Sequence, residues 1–375
     1  MKILVAGGAG FIGTRLARRL LQSNHDVTII DNFSPQVHGP VAVLPEDLSP
    51  HVSLVRGDVR DLAVWKSALP GHQCVVNLAA ETGTGQSMYE VTQYEQVNLA
   101  GSANMYELLA KRVVTGVERV IVASSRAIYG EGAYSCGAHG LVFPRSQTSE
   151  NKRRQVFDPV CPNCGGPCQS VPTPETAPFR PSSFYGLTKQ VQEQMTLMFG
   201  EVLDIPSVAL RYQNVYGPGQ SLKNPYTGIL AIFSNLARVA ADINVFEDGK
   251  ESRDCVYIDD VVRATADCIT GRVVGQHAIN IGSNERTTVL QVASLVNQYY
   301  GSMSNISISG AFRDGDVRHG LADLTNAQRL LDYNPCTKFE KGLHNFLTWA
   351  SESEPELNGY QRSLDEMKSR GLLHG

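Results

Sequence analysis

The chain has 375 residues, 42% of them hydrophobic and 19% charged, enough for one large core or two closely packed ones. A net charge of −4, with no Lys/Arg run longer than three residues, argues against nucleic acid or an anionic membrane as partner. No apolar run approaches the ~18 residues of a membrane span, and Met1-Lys-Ile-Leu-Val enters a glycine turn with no room for a signal peptide, so a soluble cytoplasmic protein handling a small molecule is expected.

Lys2 to Ala6 is an apolar run without polar alternation, the pattern of a buried parallel strand. It ends in Gly7-Gly-Ala-Gly-Phe-Ile-Gly13. Thr14 to Gln22 then has helical periodicity, and Val27 to Ile30 is a second apolar strand that closes on Asp31. Strand, glycine turn, helix, strand and acid, in that order, predict a dinucleotide site. The glycines permit a tight turn and close backbone approach, so a pyrophosphate meets the free N–H groups of the helix start. Asp31 is placed to accept from a ribose 2′-OH. Asn32-Phe33 brings no Arg to receive a 2′-phosphate, so NAD is favoured over NADP.

Further strand and helix units follow. Val52 to Val55 leads to Gly57-Asp58-Val59, where an acid after a strand meets the adenine. Cys74 to Leu78 leads to the small-residue loop Ala79-Ala-Glu-Thr-Gly-Thr-Gly-Gln86, suited to close approach of a nicotinamide ribose. Asn98 to Ala110 reads as a helix and Arg119 to Ala123 as a strand ending in Ser124-Ser125. Each strand end carries polar or small residues, as expected where an open parallel sheet binds a ligand.

In Ser182-Ser-Phe-Tyr-Gly-Leu-Thr-Lys189, Tyr185 and Lys189 share a helix face one turn apart. A phenol useful as a base near neutrality must lose its proton roughly three units below its ordinary value, about 4 kcal/mol. One exposed ammonium supplies too little. A dry site with a second positive group, such as an oxidised nicotinamide, supplies more. Ser207 to Leu210 is another strand, delivering Arg211-Tyr-Gln-Asn-Val-Tyr-Gly-Pro218. Gly228 to Ala241 is a helix, Val256 to Ile258 a short strand before a helix, His277 to Ile281 a strand, and Thr288 to Tyr300 a helix. Arg313-Asp-Gly-Asp-Val-Arg318 reads as a charged loop, and a polar tail begins past about Ser351.

These markers together resemble the extended short-chain dehydrogenase/reductase family, specifically its nucleotide-sugar epimerases and dehydratases. They are GGAGFIG at 7 to 13, Asp31, Asp58, Leu78-Ala-Ala80, Ser125 before Tyr129-Gly130, Tyr185-x-x-x-Lys189, Arg211-Tyr-x-Asn214 and Arg253-Asp254. The resemblance implies a Rossmann-type doubly wound parallel sheet with a smaller α/β substrate domain. Tyr185 would be the base, Lys189 would bind the nicotinamide ribose and lower the phenol's pKa, and Ser125 would hold the reacting sugar hydroxyl. Chemistry agrees: oxidising a carbinol carbon needs a base, a donor to steady developing charge and a nearby cation. The implied NAD contacts are Gly7, Gly10, Phe11, Ile12, Gly13, Asp31, Asn32, Asp58, Val59, Leu78, Ala79, Ala80, Asn98 and Tyr212, with Tyr185 and Lys189. The implied substrate contacts are Thr82, Gly83, Gln86, Ser125, Arg126, Asn214, Arg253 and Arg313, with Arg318 a weaker candidate.

The family's 4,6-dehydratases carry an Asp-Glu pair after the Ser/Thr. Here those positions are Arg126 and Ala127, so the elimination lacks its proton donor. A 4-epimerase remains, oxidising C4, turning the sugar and returning the hydrogen to the other face. The run 217–230 with 81–86 resembles the bacterial dTDP-L-rhamnose 4-epimerase group, which interconverts dTDP-L-rhamnose and dTDP-6-deoxy-L-talose. A UDP-hexose 4-epimerase, a UDP-glucuronate decarboxylase and a non-catalytic NAD-binding regulator are the alternatives. A homodimer is implied by resemblance only.

Ser125 and Tyr185 are 60 residues apart, where the family has roughly 25, so an insertion must separate them. Within it lie Cys136-Gly-Ala-His139 and Cys161-Pro-Asn-Cys164, paired knuckles suited to a structural tetrahedral zinc, with Cys168 ranked below His139. A metal would order a polar, Pro-rich insert that has no core of its own. The expected organisation is an NAD-binding domain at 1–214 and 254–282, the Cys-rich insertion at 130–176, a nucleotide-sugar-binding domain at 215–253 and 283–350, and the tail at 351–375.

Overall fold

The structure, a computed structural model, describes residues 1–39, 42–224, 228–271, 273–301 and 303–375. Seven parallel strands form its central sheet: β1 (Lys2–Ala6), β2 (Asp26–Asp31), β3 (Ser53–Arg56), β4 (Cys74–Asn77), β5 (Arg119–Ser125), β6 (Ser207–Tyr212) and β7 (Gln276–Ile281). Their spatial order is β7-β6-β5-β4-β1-β2-β3. Alternate residues of one strand enter different cores. Ile3, Val5, Cys74, Val76 and Ile121 pack on one face, while Leu4, Ala6, Val75 and Val120 pack on the other. Burial on both faces is why these strands are written as continuous apolar runs.

The chain leaves β1 toward β2 on one side and returns to β4 on the other, opening a crevice at the carboxyl ends of β1 and β4. Helix α1 (Phe11–Gln22) covers one face through Leu16, Ala17 and Leu20, and α2 (Phe184–Leu203) runs from the end of the insertion into β6. A smaller α/β region lies beside the sheet. In it Asn214–Tyr216 runs parallel to Ser252–Tyr257, which pairs antiparallel with Arg286–Thr288, and Ile243–Val245 runs parallel to Ile306–Ile308. Asp254, fully buried, pins this region by accepting from the Ser283 N–H at 2.6 Å and the Ala322 N–H at 3.2 Å. Among the described residues no helix is long and apolar enough to cross a membrane.

The insertion is a folded unit. Tyr134–Cys136 pairs antiparallel with Gly140–Val142 and Gln169–Ser170 around a small cluster of Tyr134, Cys136, Val142 and Cys161. It is bolted to the smaller region by a buried Lys152–Glu247 ion pair at 3.1 Å and an Arg318–Asp158 pair at 2.7 Å.

The polar composition past Ser351 misleads about its structure. Residues 358–369 form a helix, α3 (Asn358–Ser369), and Leu373–His374 pairs antiparallel with Phe312–Arg313. The helix succeeds with few apolar residues because Ser363 and Met367 lie on one buried stripe and the rest stays in water.

Candidate active site

The glycine turn ends β1 at the crevice. Gly7 lies at φ +72°, and a Cβ there would sit 2.7 Å from the Ala79 nitrogen, so this turn and the Leu78-Ala79-Ala80 segment approach as only glycine permits. A Cβ on Gly13 would fall 2.6 Å from the Gly8 Cα, which explains how closely α1 enters the turn. At Gly10 the same atom would meet only the Gly7 carbonyl, at 3.3 Å, leaving the outer side open. No side chain caps α1, so its first N–H groups at Phe11 and Ile12 are available to an anion. These features fit a dinucleotide pyrophosphate.

Asp31, at the end of β2, is nearly buried and accepts from the Ala9 N–H at 3.0 Å and the Phe33 N–H at 2.8 Å. Two such bonds leave its carboxylate further acceptor capacity for a ribose hydroxyl. Asp58 is more heavily engaged, accepting from Arg60 at 2.8 Å and from Asn32 Nδ2 at 2.9 Å. Burial opposes its charge, but the hydrogen bonds from Arg60 prevail and hold it at about 2. Val59 is packed in the core, its carbonyl accepting from Trp65 Nε1.

Topology brings the reactive hydroxyls together. Ser125 ends β5 and Tyr185 opens α2, which packs along β5, bringing the two hydroxyls close enough for Ser125 to act on the phenol's acidity. Ser125 Oγ also accepts from the Ala127 N–H at 3.2 Å. Burial pushes the phenol's pKa up, and the neighbouring Ser125 offsets this only in part. The phenol is therefore not acidified by this chain's groups alone, as the size of the required shift anticipated.

Lys189 is 2% exposed, its ammonium hydrogen-bonded to Gln192 Oε1. Burial lowers its pKa to about 7, against an opposing pull from Glu193. Gln192 donates onward to Ser102 Oγ at 2.7 Å, which donates to the Asn98 carbonyl at 3.0 Å. Asn98 lies in a single π-helical turn, Gln96–Ala100, a distortion common at functional sites. From there its amide accepts from the Glu81 N–H at 2.9 Å and donates to Thr188 Oγ1 at 2.9 Å, tying the 79–86 loop to α2. Gln192 and Glu193 carry no motif, although their places three and four residues after Lys189 on one helix were the available signal.

A stability signature follows from Lys189. Its pKa is about 7 when folded and near 10.5 when exposed. Between those values the unfolded chain holds a proton that the folded chain lacks, so stability rises with pH there and the contribution is flat below about 7. Urea midpoints of the native chain are expected to gain on those of Lys189→Met from pH 7 to 9. Parallel curves would show that burial does not disfavour this ammonium.

On the far side of the crevice, Arg126, Arg253 and Arg313 surround Asp316. Arg313 lies 2.9 Å and Arg253 3.5 Å from its carboxylate. Burial opposes the Asp316 charge, yet Arg313, Arg253 and Lys152 hold its carboxyl below the usual range. Arg126, next to Ser125, is lowered to about 10 by burial and by repulsion from Arg253. Crowded guanidiniums with a shared carboxylate suit the oxygens of a diphosphate. Asn214 is exposed on the adjoining strand. Gln86 makes a reciprocal amide pair with Gln36 at 2.9 and 3.0 Å, and the Gly83 carbonyl accepts from Tyr94 Oη at 3.0 Å, with Thr82 beside it. In the 217–230 run, Gly219 approaches Phe11, while Pro225, Tyr226 and Thr227 lie outside the described residues.

Two expected ligands are otherwise employed. Arg318 is 2% exposed and bound to Asp158, Glu247 and Asp248, so it clamps the insertion rather than facing the crevice. The Tyr212 hydroxyl is buried against Thr265 Oγ1 at 2.7 Å, within the core.

Cys136, His139, Cys161 and Cys164 place one ligand atom each within 4.8 Å of all the others. Cys136 Sγ is 3.6 Å from His139 Nδ1 and 3.8 Å from Cys164 Sγ, and Cys161 Sγ is 3.7 Å from His139 Nδ1. Ligands ~2.0–2.3 Å from a central tetrahedral zinc would stand about this far apart, so the donor set fits that ion. Cys168 stands outside the group, its thiol on the Pro159 carbonyl at 3.3 Å.

A glycine-turn dinucleotide cradle joined to a Ser-Tyr-Lys set defines an NAD-dependent enzyme acting on an alcohol carbon. The chain belongs to the NAD dependent epimerase/dehydratase family, which matches it over residues 3–152 and 161–282. It is 38% identical over 353 residues to the dTDP-L-rhamnose 4-epimerase of Burkholderia thailandensis, covering 94% of this chain and 95% of that one. Its fold matches the UDP-glucose 4-epimerase of Thermotoga maritima, solved with UDP-glucose, at a TM-score of 0.75 and 28% identity, over 94% and 99% of the two chains. The UDP-glucuronic acid 4-epimerase of Bacillus cereus, solved with UDP-glucuronic acid and NAD, matches at 0.75 and 25%, again over 94% and 99%.

Proposed function

We propose that this chain catalyses the NAD-dependent 4-epimerisation of a nucleotide sugar, converting dTDP-L-rhamnose to dTDP-6-deoxy-L-talose. The observation that carries the reading is the juxtaposition of Ser125, at the carboxyl end of β5, with Tyr185 at the start of α2 and buried Lys189 one turn further along that helix, on the same sheet edge as the glycine turn. Tyr185 takes the proton of the sugar 4-hydroxyl and Ser125 holds that oxygen as it becomes a carbonyl. NAD, when bound, supplies the acceptor for the C4 hydrogen and, in its oxidised form, a positive ring beside the phenol. After the sugar turns, Tyr185 returns the proton to the new alcohol. Arg126, Arg253, Arg313 and Asn214 hold the diphosphate end so that only the hexose reorients.

The choice of sugar rests on the Burkholderia relative. The UDP-sugar epimerases of like fold support a second reading, a UDP-hexose 4-epimerase built on the same site. Incubating purified protein with dTDP-L-rhamnose, UDP-glucose and UDP-glucuronic acid separates them. Talose product from the first substrate alone is expected, and turnover of a UDP-sugar alone would transfer the assignment. The same reading includes a structural zinc on Cys136, His139, Cys161 and Cys164, a homodimer, a cytoplasmic location, and NAD held by 1–214 with 254–282.

A further inference from the structure

The C-terminal segment touches two of the stretches expected to meet the substrate, the 79–89 loop and the loop that carries Arg313. At one end α3 packs on the 79–89 loop. A Cβ on Gly85 would lie 3.1 Å from Met367 Sδ, Tyr89 Oη donates to Glu366 at 3.1 Å, and the Arg370 guanidinium stands 4.0 Å over the Tyr89 ring. At the other end Leu373–His374 pairs with Phe312–Arg313, and His374 bonds Asp314 at 2.9 Å. In the first turn of α3, Tyr360 lies within electrostatic reach of Arg313 and shares a small cavity with Leu222, Asn224 and Leu357. Asn235 ties the approach to α3 down, donating to the carbonyls of Leu222 at 3.0 Å and Glu356 at 3.1 Å.

The strap therefore joins the 79–89 loop of the large sheet to Arg313 and the 217–224 loop of the smaller region. An epimerase must keep its ketone captive while the sugar turns, which requires an enclosed and dry site. We propose that residues 358–375 form a wall of the nucleotide-sugar site, with Tyr360 and Met367 facing the ligand, and that the strap is held shut by bound nucleotide. This rests on the nucleotide-sugar reading above and adds a binding element to it.

The test uses the full chain. Trypsin cleavage after Arg362, Lys368 and Arg370 is followed with and without dTDP or UDP, and either nucleotide is expected to slow it about tenfold or more if opening is coupled to release. In parallel, Met367→Glu is expected to raise the KM for the nucleotide sugar about tenfold or more with NAD content unchanged, while the volume-conserving Met367→Leu keeps the native KM. Cleavage indifferent to both nucleotides, or an unchanged KM, overturns the strap. Because proteolysis needs no turnover, it decides this point even if no nucleotide sugar is epimerised, a result that would count against the function alone.

Discussion

Tyr185→Phe is expected to lower turnover by at least about a hundredfold while the purified protein still carries its NAD, because it removes the general base and leaves the ring's packing. Phe keeps the edge-to-face contact with Tyr94, whose ring centre is 6.4 Å away, and it leaves the cradle at Gly7 to Gly13 untouched. The substitution removes the hydroxyl that Ser125 acts on. Cofactor content, read by absorbance after denaturation, separates a chemical defect from a binding defect. Near-native turnover would falsify the role given to Tyr185. A non-catalytic NAD-binding protein would lose none of its binding through this substitution.

The second large effect is expected from the Cys-His cluster. Elemental analysis should find about one zinc per chain, and Cys161→Ser should lose nearly all of it, since three donors hold the ion far more weakly than four. The insertion's own apolar cluster has four buried members, and two of them, Cys136 and Cys161, belong to the Cys-His group that would hold the ion. Without the ion, residues 130–176 should become protease-sensitive while the central sheet keeps its fold. Native protein free of zinc, with the insertion still resistant to protease, would remove the metal from the account. Substrate affinity should fall with the metal as well, because Lys152 and Asp158 reach from the insertion to Glu247 and Arg318 beside the arginine cluster.

How much of this was legible depended on the distance over which the information is written. The glycine turn, Asp31 and the apolar strands are local patterns, and the observed strands match their expected positions to within a few residues, apart from Ser252–Tyr257, which begins four residues before its expected start. The meeting of Ser125 with Tyr185 across 60 residues was reachable because parallel strands force their carboxyl ends to one edge. Arg318 misled because a sequence displays charge without its partners, and four acids surround this guanidinium. Tyr212 misled for the opposite reason, since a phenol in an apolar strand can as well be core. Helix α3 was hidden because its buried stripe is only a few residues wide on a polar background.

The π turn at Gln96–Ala100 limits how this gene can drift. It holds one more residue per turn than an ordinary helix, and Asn98 reaches both Glu81 and Thr188 from that bulge. An in-frame loss of one codon there would let the turn relax to an ordinary α-helix and remove the bulge from which the Asn98 amide reaches its two partners. Point changes elsewhere on this helix should be accepted far more readily than any change in its length.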